Sequence, residues 1–298
     1  MSSAFLPLNV AVLGAGQIGS TFAFGLAHIG HAVTVIARPG SVRLQQLECY
    51  GAIIDVKGDR ATVQVASTLD EQTSYDLLIV TLLAHQTDAL LSTLQASAAK
   101  CILFMFNNFH PERLQDSIGA ERCAFGMPFV QAKLGADGRL KATIGAGGQK
   151  TIISQQRWVD MFNAAGLPAA LERDMPLWLR CHVPLCVAFE SVSVTAMRRG
   201  GGVSWGEALV LARGVHASFD LIKGLGHSVY PKTKRRIANS PVQLVAAVLW
   251  FMSRIRSFRE LLATGKAESC ALVDAMLASV SLTEQNVMIS EIQAMKPL

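Results

Sequence analysis

The residues of this chain that could do chemistry begin with a backbone device, "GAGQIG" (Gly14, Ala15, Gly16, Gln17, Ile18, Gly19), in G-x-G-x-x-G spacing. In such a loop the first glycine makes a tight turn and the second lets backbone approach a pyrophosphate. The third lets the next helix pack closely, leaving that helix's N-terminal N–H groups for the anion. The next candidate is Arg38 in "VIARPGS", at a point where a site for NAD would carry an acid for the ribose hydroxyls; no acid follows before Glu48. A guanidinium there suits a 2′-phosphate, so the expected cofactor is NADP (NADPH) rather than NAD. A last candidate is "WLRCHVPLC" (178–186), which sets Arg180 and His182 inside an apolar run. It reads either as a core helix carrying two polar side chains, with His182 a hydrogen-bonded core histidine, or as the edge of an active site.

Elements of a definite kind must position these groups. Residues 8–13 read as a short buried strand, Ile18, Phe22 and Leu26 as one face of a helix ending at Gly30, and Ala32 to Ala37 as a second buried strand. A glycine motif that follows a strand, opens a helix and is answered by a strand is far more specific than the motif alone. "DLLIVTLL" (76–83), "CILFMFNN" (101–108) and "CAFGMPF" (123–129) are continuous in apolar residues, as strands covered on both faces should be. Polar residues gather at the C-terminal ends, His85 and Gln86 after one and Asn107 and Asn108 after the next. Ligands of open α/β sheets bind at that edge, which makes Gln86 and Asn108 contact candidates and leaves His85 as a solvated loop residue.

The second half reads as helical. "TIISQQRWVDMFNAAG" predicts a helix ending at Gly166, and "PAALER" a short strand, with no strand after it. Asp174 as N-cap and Pro176 in the first turn open a long helix through "WLRCHVPLCVAFESVSVTAM", bent at Pro184. Ser204 and Glu207 form a capping box for a helix to about Gly224, and Ser240 and Pro241 open another through "VQLVAAVLWFMSRIRSFREL". The stretches from about 268 to 280 and from Ser281 onward also carry helical pattern. The expected fold is an α/β Rossmann-like N-terminal domain (1–170) followed by an all-α C-terminal domain (171–298).

Composition agrees. At 298 residues, with 51% hydrophobic and 16% charged, the chain can fill two cores and is too apolar for disorder. The net charge of +5 is scattered except for Lys232, Lys234, Arg235 and Arg236 in "YPKTKRR", which reads as a solvated loop. No zinc-finger spacing or aromatic-basic repeat occurs, so neither a metal nor a nucleic-acid partner is expected. The 6 cysteines show no CxxC spacing and read as buried thiols of a reducing compartment. "MSSAFLPLNVAVL" lacks the basic start of a secretion signal, and the uncharged run "PVQLVAAVLWFM" falls short of the roughly 20 residues a membrane span needs. A cytoplasmic protein without a membrane partner is the expectation.

Together these features resemble the ketopantoate reductase (2-dehydropantoate 2-reductase) family, over nearly the whole chain and as a diverged member. "GAGQIG" with Arg38, "TLLAHQTDALL" for a VKAxQ-like stretch, "NNFHPERL" for QNGxxxxERL, "WLRCHVPLCVA" for WxKxxxNxxxN and "KAESCALVD" for a TExD-like turn carry the likeness. The resemblance implies NADPH-dependent reduction of a branched 2-keto acid, of the 2-dehydropantoate to pantoate type. A lysine on the first helix of the second domain would protonate or polarise the oxygen, and a glutamate would bind substrate. It implies that Arg180 occupies the lysine position, that Glu268 is the glutamate and that Asn108 touches substrate or nicotinamide. Gln86 would sit by the cofactor, and Ser257 would correspond to a substrate-binding serine. The partner would be a small 2-keto acid or related carbonyl substrate, and the protein a homodimer.

This chain departs from the pattern at Leu83, Phe109 and Pro184, and above all at Arg180. A lysine, with a reference value of about 10.4, can be tuned down to donate a proton, whereas arginine stays charged. Arg180 could still polarise a carbonyl, with the proton drawn from His182 or from water. Water is favoured because residues two apart on a helix face different ways. The altered site leaves two alternatives: a reductase of the same fold acting on a different, more apolar carbonyl compound, and an NADP-binding sensor without turnover.

Overall fold

The computed structural model describes residues 6–263, 265–280 and 286–297; Met1–Phe5 and Ser281–Gln285, the start of the last expected helix, lie outside the described residues. The chain divides into two compact units. One comprises Met1–Phe106 and Glu112–Met175, the other Asn107–Pro111 and Pro176–Leu298.

The first unit is α/β, as expected. Its strands are β1 (Asn9–Leu13), β2 (Ala32–Ile36), β3 (Ala52–Ile54), β4 (Arg60–Thr62), β5 (Gln64–Ala66), β6 (Leu77–Val80), β7 (Ile102–Met105), β8 (Cys123–Met127), β9 (Val130–Leu134), β10 (Leu140–Ile144), β11 (Thr151–Ile153) and β12 (Ala169–Leu171). Between them run α1 (Gln17–His28), α2 (Val42–Tyr50), α3 (Ala84–Asp88), α4 (Leu91–Ala96), α5 (Pro111–Ile118) and α6 (Gln156–Ala164). The main sheet has 8 strands in the order β12-β11-β8-β7-β6-β1-β2-β5. From β5 to β8 the strands are parallel in the 3-2-1-4-5-6 order of dinucleotide-binding sheets, and β11 is antiparallel to β8. Val10, Val12, Leu77, Ile79 and Leu103 are shut off from solvent on this sheet, and Phe22 of α1 packs edge-on against Phe162 of α6 at 5.0 Å. Burying one such ring contributes about 2–3 kcal/mol.

The pairs β3–β4 and β9–β10 do not follow from the sequence, because β4, β9 and β10 are largely exposed and the apolar β3 is only 3 residues long. "TIISQQRWVDMFNAAG" also divides. Its β-branched start is β11, hydrogen-bonded beside β8, and the helix begins only at Gln156.

The second unit contains α7 (Met175–Arg199), α8 (Trp205–Gly224), α9 (Lys232–Ala238), α10 (Val242–Met252), α11 (Arg256–Leu262), α12 (Lys266–Leu277) and α13 (Asn286–Gln293), and no strand among the described residues. Its core gathers Val187, Ala212, Phe219, Ala246 and Val273 around α8, which packs on α10 and α13. The capping box stands as read: Ser204 Oγ accepts the Glu207 N–H at 3.2 Å, and the Glu207 carboxylate accepts the Ser204 N–H at 2.7 Å. Helix α7 passes through Pro184, which has no N–H to offer the Arg180 carbonyl. It is long and apolar enough to cross a membrane, but 72% of that stretch is buried inside the protein.

Two expectations are corrected in this unit. The run expected as one helix from Val242 to Leu261 breaks at Ser253. That hydroxyl donates to the Trp250 carbonyl at 2.7 Å and accepts the Val203 N–H at 3.1 Å, competing with the helical ladder. "YPKTKRR" is no solvated loop: it opens α9, and Lys234 is buried with Nζ 2.8 Å from the Trp178 carbonyl and 3.6 Å from the centre of its ring.

Candidate active site

In the first unit, β1 delivers the chain into the glycine loop and α1 leaves it. Gly14 sits at φ +110°, and a Cβ there would lie 2.8 Å from Thr81 Oγ1, a hydroxyl that donates to the Gly14 carbonyl. A Cβ on Gly19 would overlap that same carbonyl oxygen, so the first turn of α1 can lie on the loop only with glycine there. Gly16 has open space where a Cβ would stand and caps α1 without a side-chain hydrogen bond. The first turn of α1 therefore carries no acid and no side-chain cap, and Gly16 and Gln17 are exposed. Such a terminus fits the phosphate oxygens of a dinucleotide.

Ala15 is buried and Ile18 half-buried behind this surface. Arg38 is exposed just past β2, where its carbonyl accepts the N–H of Ser41, the cap of α2. Arg43 on α2 was not singled out by the sequence. Its Nη1 donates to the Gly138 carbonyl at 2.8 Å and its Nη2 to Ser20 Oγ at 3.1 Å, tying α2, α1 and the β9–β10 turn together. Gln86 is exposed at the start of α3, where its Oε1 accepts the Leu83 N–H at 3.1 Å. His85 is exposed beside it.

In the second unit a polar group is assembled from segments far apart in sequence. Asn107 Nδ2 donates to Glu268 Oε1 of α12 at 2.8 Å and to Cys186 Sγ of α7 at 3.1 Å. The Cys186 thiol donates to Glu190 Oε1 at 3.4 Å, and Ser269 Oγ to Glu190 Oε2 at 2.5 Å. Glu190 is buried, and a Cβ on Gly265 would stand 2.5 Å from its carboxyl carbon, so the absence of a side chain there makes room for it. Burial, reinforced by the Glu268 charge, pushes Glu190 up to about 7. Burial and the two glutamates also push the Cys186 thiol well above its usual range.

Arg180, 5% exposed, donates from Nε to the Phe109 carbonyl at 3.2 Å, and its Nη1 lies 2.9 Å from His227 Nε2. Asn108 is half-buried, and its Oδ1 accepts the His110 N–H at 2.8 Å, closing a local turn. Asn107, rather than its neighbour, is the asparagine joined to Glu268. His182 stacks on Trp178 at 4.6 Å between ring centres; burial, with the Lys234 charge nearby, pushes its imidazole down to about 3. It is therefore a neutral packed histidine, unsuited to supplying a proton at neutral pH.

The sequence-named Arg180 and Glu268 thus share this unit with Asn107 and Asn108, while Gly14 to Gly19, Arg38 and Gln86 belong to the other. Glu190 and His227 were missed. Glu190 is a carboxylate four residues after Cys186 on an otherwise apolar helix, a signal of the same kind as Arg180. His227 carried no signal beyond following the glycines that end α8.

Comparison with known proteins follows the same division. The model of the family described as ketopantoate reductase PanE/ApbA matches residues 10–156. This stretch is a ketopantoate reductase-family domain. No curated protein matches the chain. Among solved structures, D-mandelate dehydrogenase with NADH is 15% identical at a TM-score of 0.71, with 97% of each chain covered. The ternary structure of D-mandelate dehydrogenase with NADH and anilino(oxo)acetate is 16% identical at 0.67, covering 96% of this chain and 97% of that one. A PanE/ApbA family ketopantoate reductase from Ralstonia eutropha JMP134 is 19% identical at 0.63, covering 96% and 98%. At these identities the likeness is one of fold, and it extends past the ketopantoate reductase-family domain through the helical unit. The named relatives are oxidoreductases.

Proposed function

We propose that the protein is an NADPH-dependent reductase of a 2-keto acid, acting in the manner of a ketopantoate reductase. The observation that carries this reading is the uncapped N-terminus of α1 behind Gly14, Gly16 and Gly19, within a domain of that family. Backbone N–H groups of the loop and first turn would hold the pyrophosphate, and Arg38 the 2′-phosphate that separates NADPH from NADH. When bound, the nicotinamide supplies a hydride to a carbonyl carbon.

The protein's own part is to bind, orient and neutralise. Arg180, held by Phe109 and His227, is a fixed cation suited to the oxygen that gains charge; preorganised donors of this kind contribute roughly 3–4 kcal/mol in a dry site. Arginine does not release a proton at neutral pH, and neutral His182 is packed on Trp178, so the oxygen would take its proton from water. Asn107 holds Glu268 in one orientation for a donor group of the substrate. The D-mandelate dehydrogenase crystallised with NADH and anilino(oxo)acetate supports an oxo acid as the class of substrate.

The test follows NADPH and NADH absorbance with a panel of 2-keto acids that includes ketopantoate and benzoylformate. Turnover with at least one, faster with NADPH, is expected. Tight NADPH binding without turnover across the panel would replace the reductase reading with that of a cofactor-binding protein.

A further inference from the structure

Helix α8 ends in "GLGH". Gly226 turns the backbone at φ +83°, its N–H donating to the Lys223 carbonyl at 2.9 Å while the His227 N–H reaches back to Ile222 at 3.1 Å. This closure fixes where His227 leaves the helix. From there the ring meets α7, with Nε2 2.9 Å from Arg180 Nη1. A guanidinium has donors only, so Nε2 must accept and the ring proton stands on Nδ1. The Phe109 carbonyl takes Arg180 Nε at 3.2 Å, and the Phe109 ring lies 5.9 Å from the guanidinium carbon. Acceptors from two separate segments thus fix the plane of one buried cation.

We propose that His227 is a positioning residue that aims the Arg180 guanidinium, and that it does so only as neutral imidazole. Protonation would replace the acceptor with a donor and set a second positive charge beside the first, so only the neutral ring can make this bond. The Cys181 sulfur accepts the Tyr230 N–H at 3.4 Å, and Lys234 donates to Trp178. What Arg180 acts on rests on the reductase reading; how it is held does not.

The deciding measurement is solvent exchange of the Arg180 Nη1 hydrogens, the donors to His227, read by 15N NMR as a protection factor in the full chain, with no ligand, at one pH near neutrality for the parent and each variant. Protection should be at least about tenfold lower in His227→Ala than in the parent, as expected for loss of one hydrogen bond. His227→Gln, whose amide oxygen can accept the same hydrogen bond, should restore it. Parallel rates of NADPH-dependent reduction of 3-methyl-2-oxobutanoate should drop about tenfold or more in His227→Ala, with rescue in His227→Gln. Equal protection in parent and His227→Ala overturns the proposal. If no 2-keto acid is reduced, the reductase reading fails while the exchange data still decide the role of His227.

Discussion

Replacing Glu190 by glutamine should change how the stability of this protein depends on pH. An exposed glutamate of an unfolded chain ionises near 4.5, whereas folded Glu190, buried beside Glu268, holds its proton up to about 7. Below the lower value both states are protonated and the carboxyl costs nothing. Between the two values the unfolded state gives up its proton first, so stability falls as pH rises; above the upper value the loss is complete. The difference between 4.5 and about 7 corresponds to about 3 kcal/mol.

Glutamine keeps the shape and the hydrogen-bonding reach but not the titration. Urea unfolding of parent and Glu190→Gln, compared from about pH 4.5 to about pH 8, should therefore diverge by about 3 kcal/mol, with the variant gaining toward high pH. The proton belongs to the carboxyl pair, so Glu268→Gln should shrink the slope rather than abolish it. Stability curves of parent and Glu190→Gln that run parallel across this range would refute the raised ionisation of buried Glu190.

Other outcomes can be checked directly. Gly19→Ala should destabilise the first unit by about 1–3 kcal/mol and abolish NADPH binding, because the new methyl group meets the backbone carbonyl of Gly14; thermal unfolding and NADPH fluorescence titration measure both. Arg38→Asp should weaken NADPH by about 10- to 100-fold and NADH far less, a charge-assisted hydrogen bond being worth about 1.5–3 kcal/mol. The His182 ring, pushed down to about 3, should show no titration of its Cε1 proton resonance between pH 8 and about pH 5. A midpoint near 6.5 would mean that the Trp178 stack does not shield it.

The parallel sheet was legible because its strands are apolar on both faces and its glycines stand where the turn geometry demands them. β4, β9 and β10 were not, being largely exposed, nor were β3 and β11, whose 3 residues each are too few to carry a pattern. Helix starts were plain where a side chain caps, as at Ser204, and helix ends were hidden where a side chain competes, as at Ser253. The polar cluster was half legible. Arg180 announced itself as a cation in an apolar run, but its partners Phe109 and His227 lie 71 and 47 residues away, and no local pattern joins them. The direction of Lys234 was equally invisible, for nothing in "YPKTKRR" says which lysine points inward.

The five residues Asn107–Pro111 lie in the first half of the chain yet belong to the helical unit. They supply the amide on Glu268, the carbonyl on Arg180 and, through His110 Nε2, the ring nitrogen 2.7 Å from Ser279 Oγ. The helical unit is therefore not a cassette. A gene fragment starting at Pro176 would encode every helix from Pro176 onward without those three contacts, and recombination at one junction would separate Arg180 and Glu268 from the residues that hold them. Inheritance of this arrangement requires both stretches to travel together.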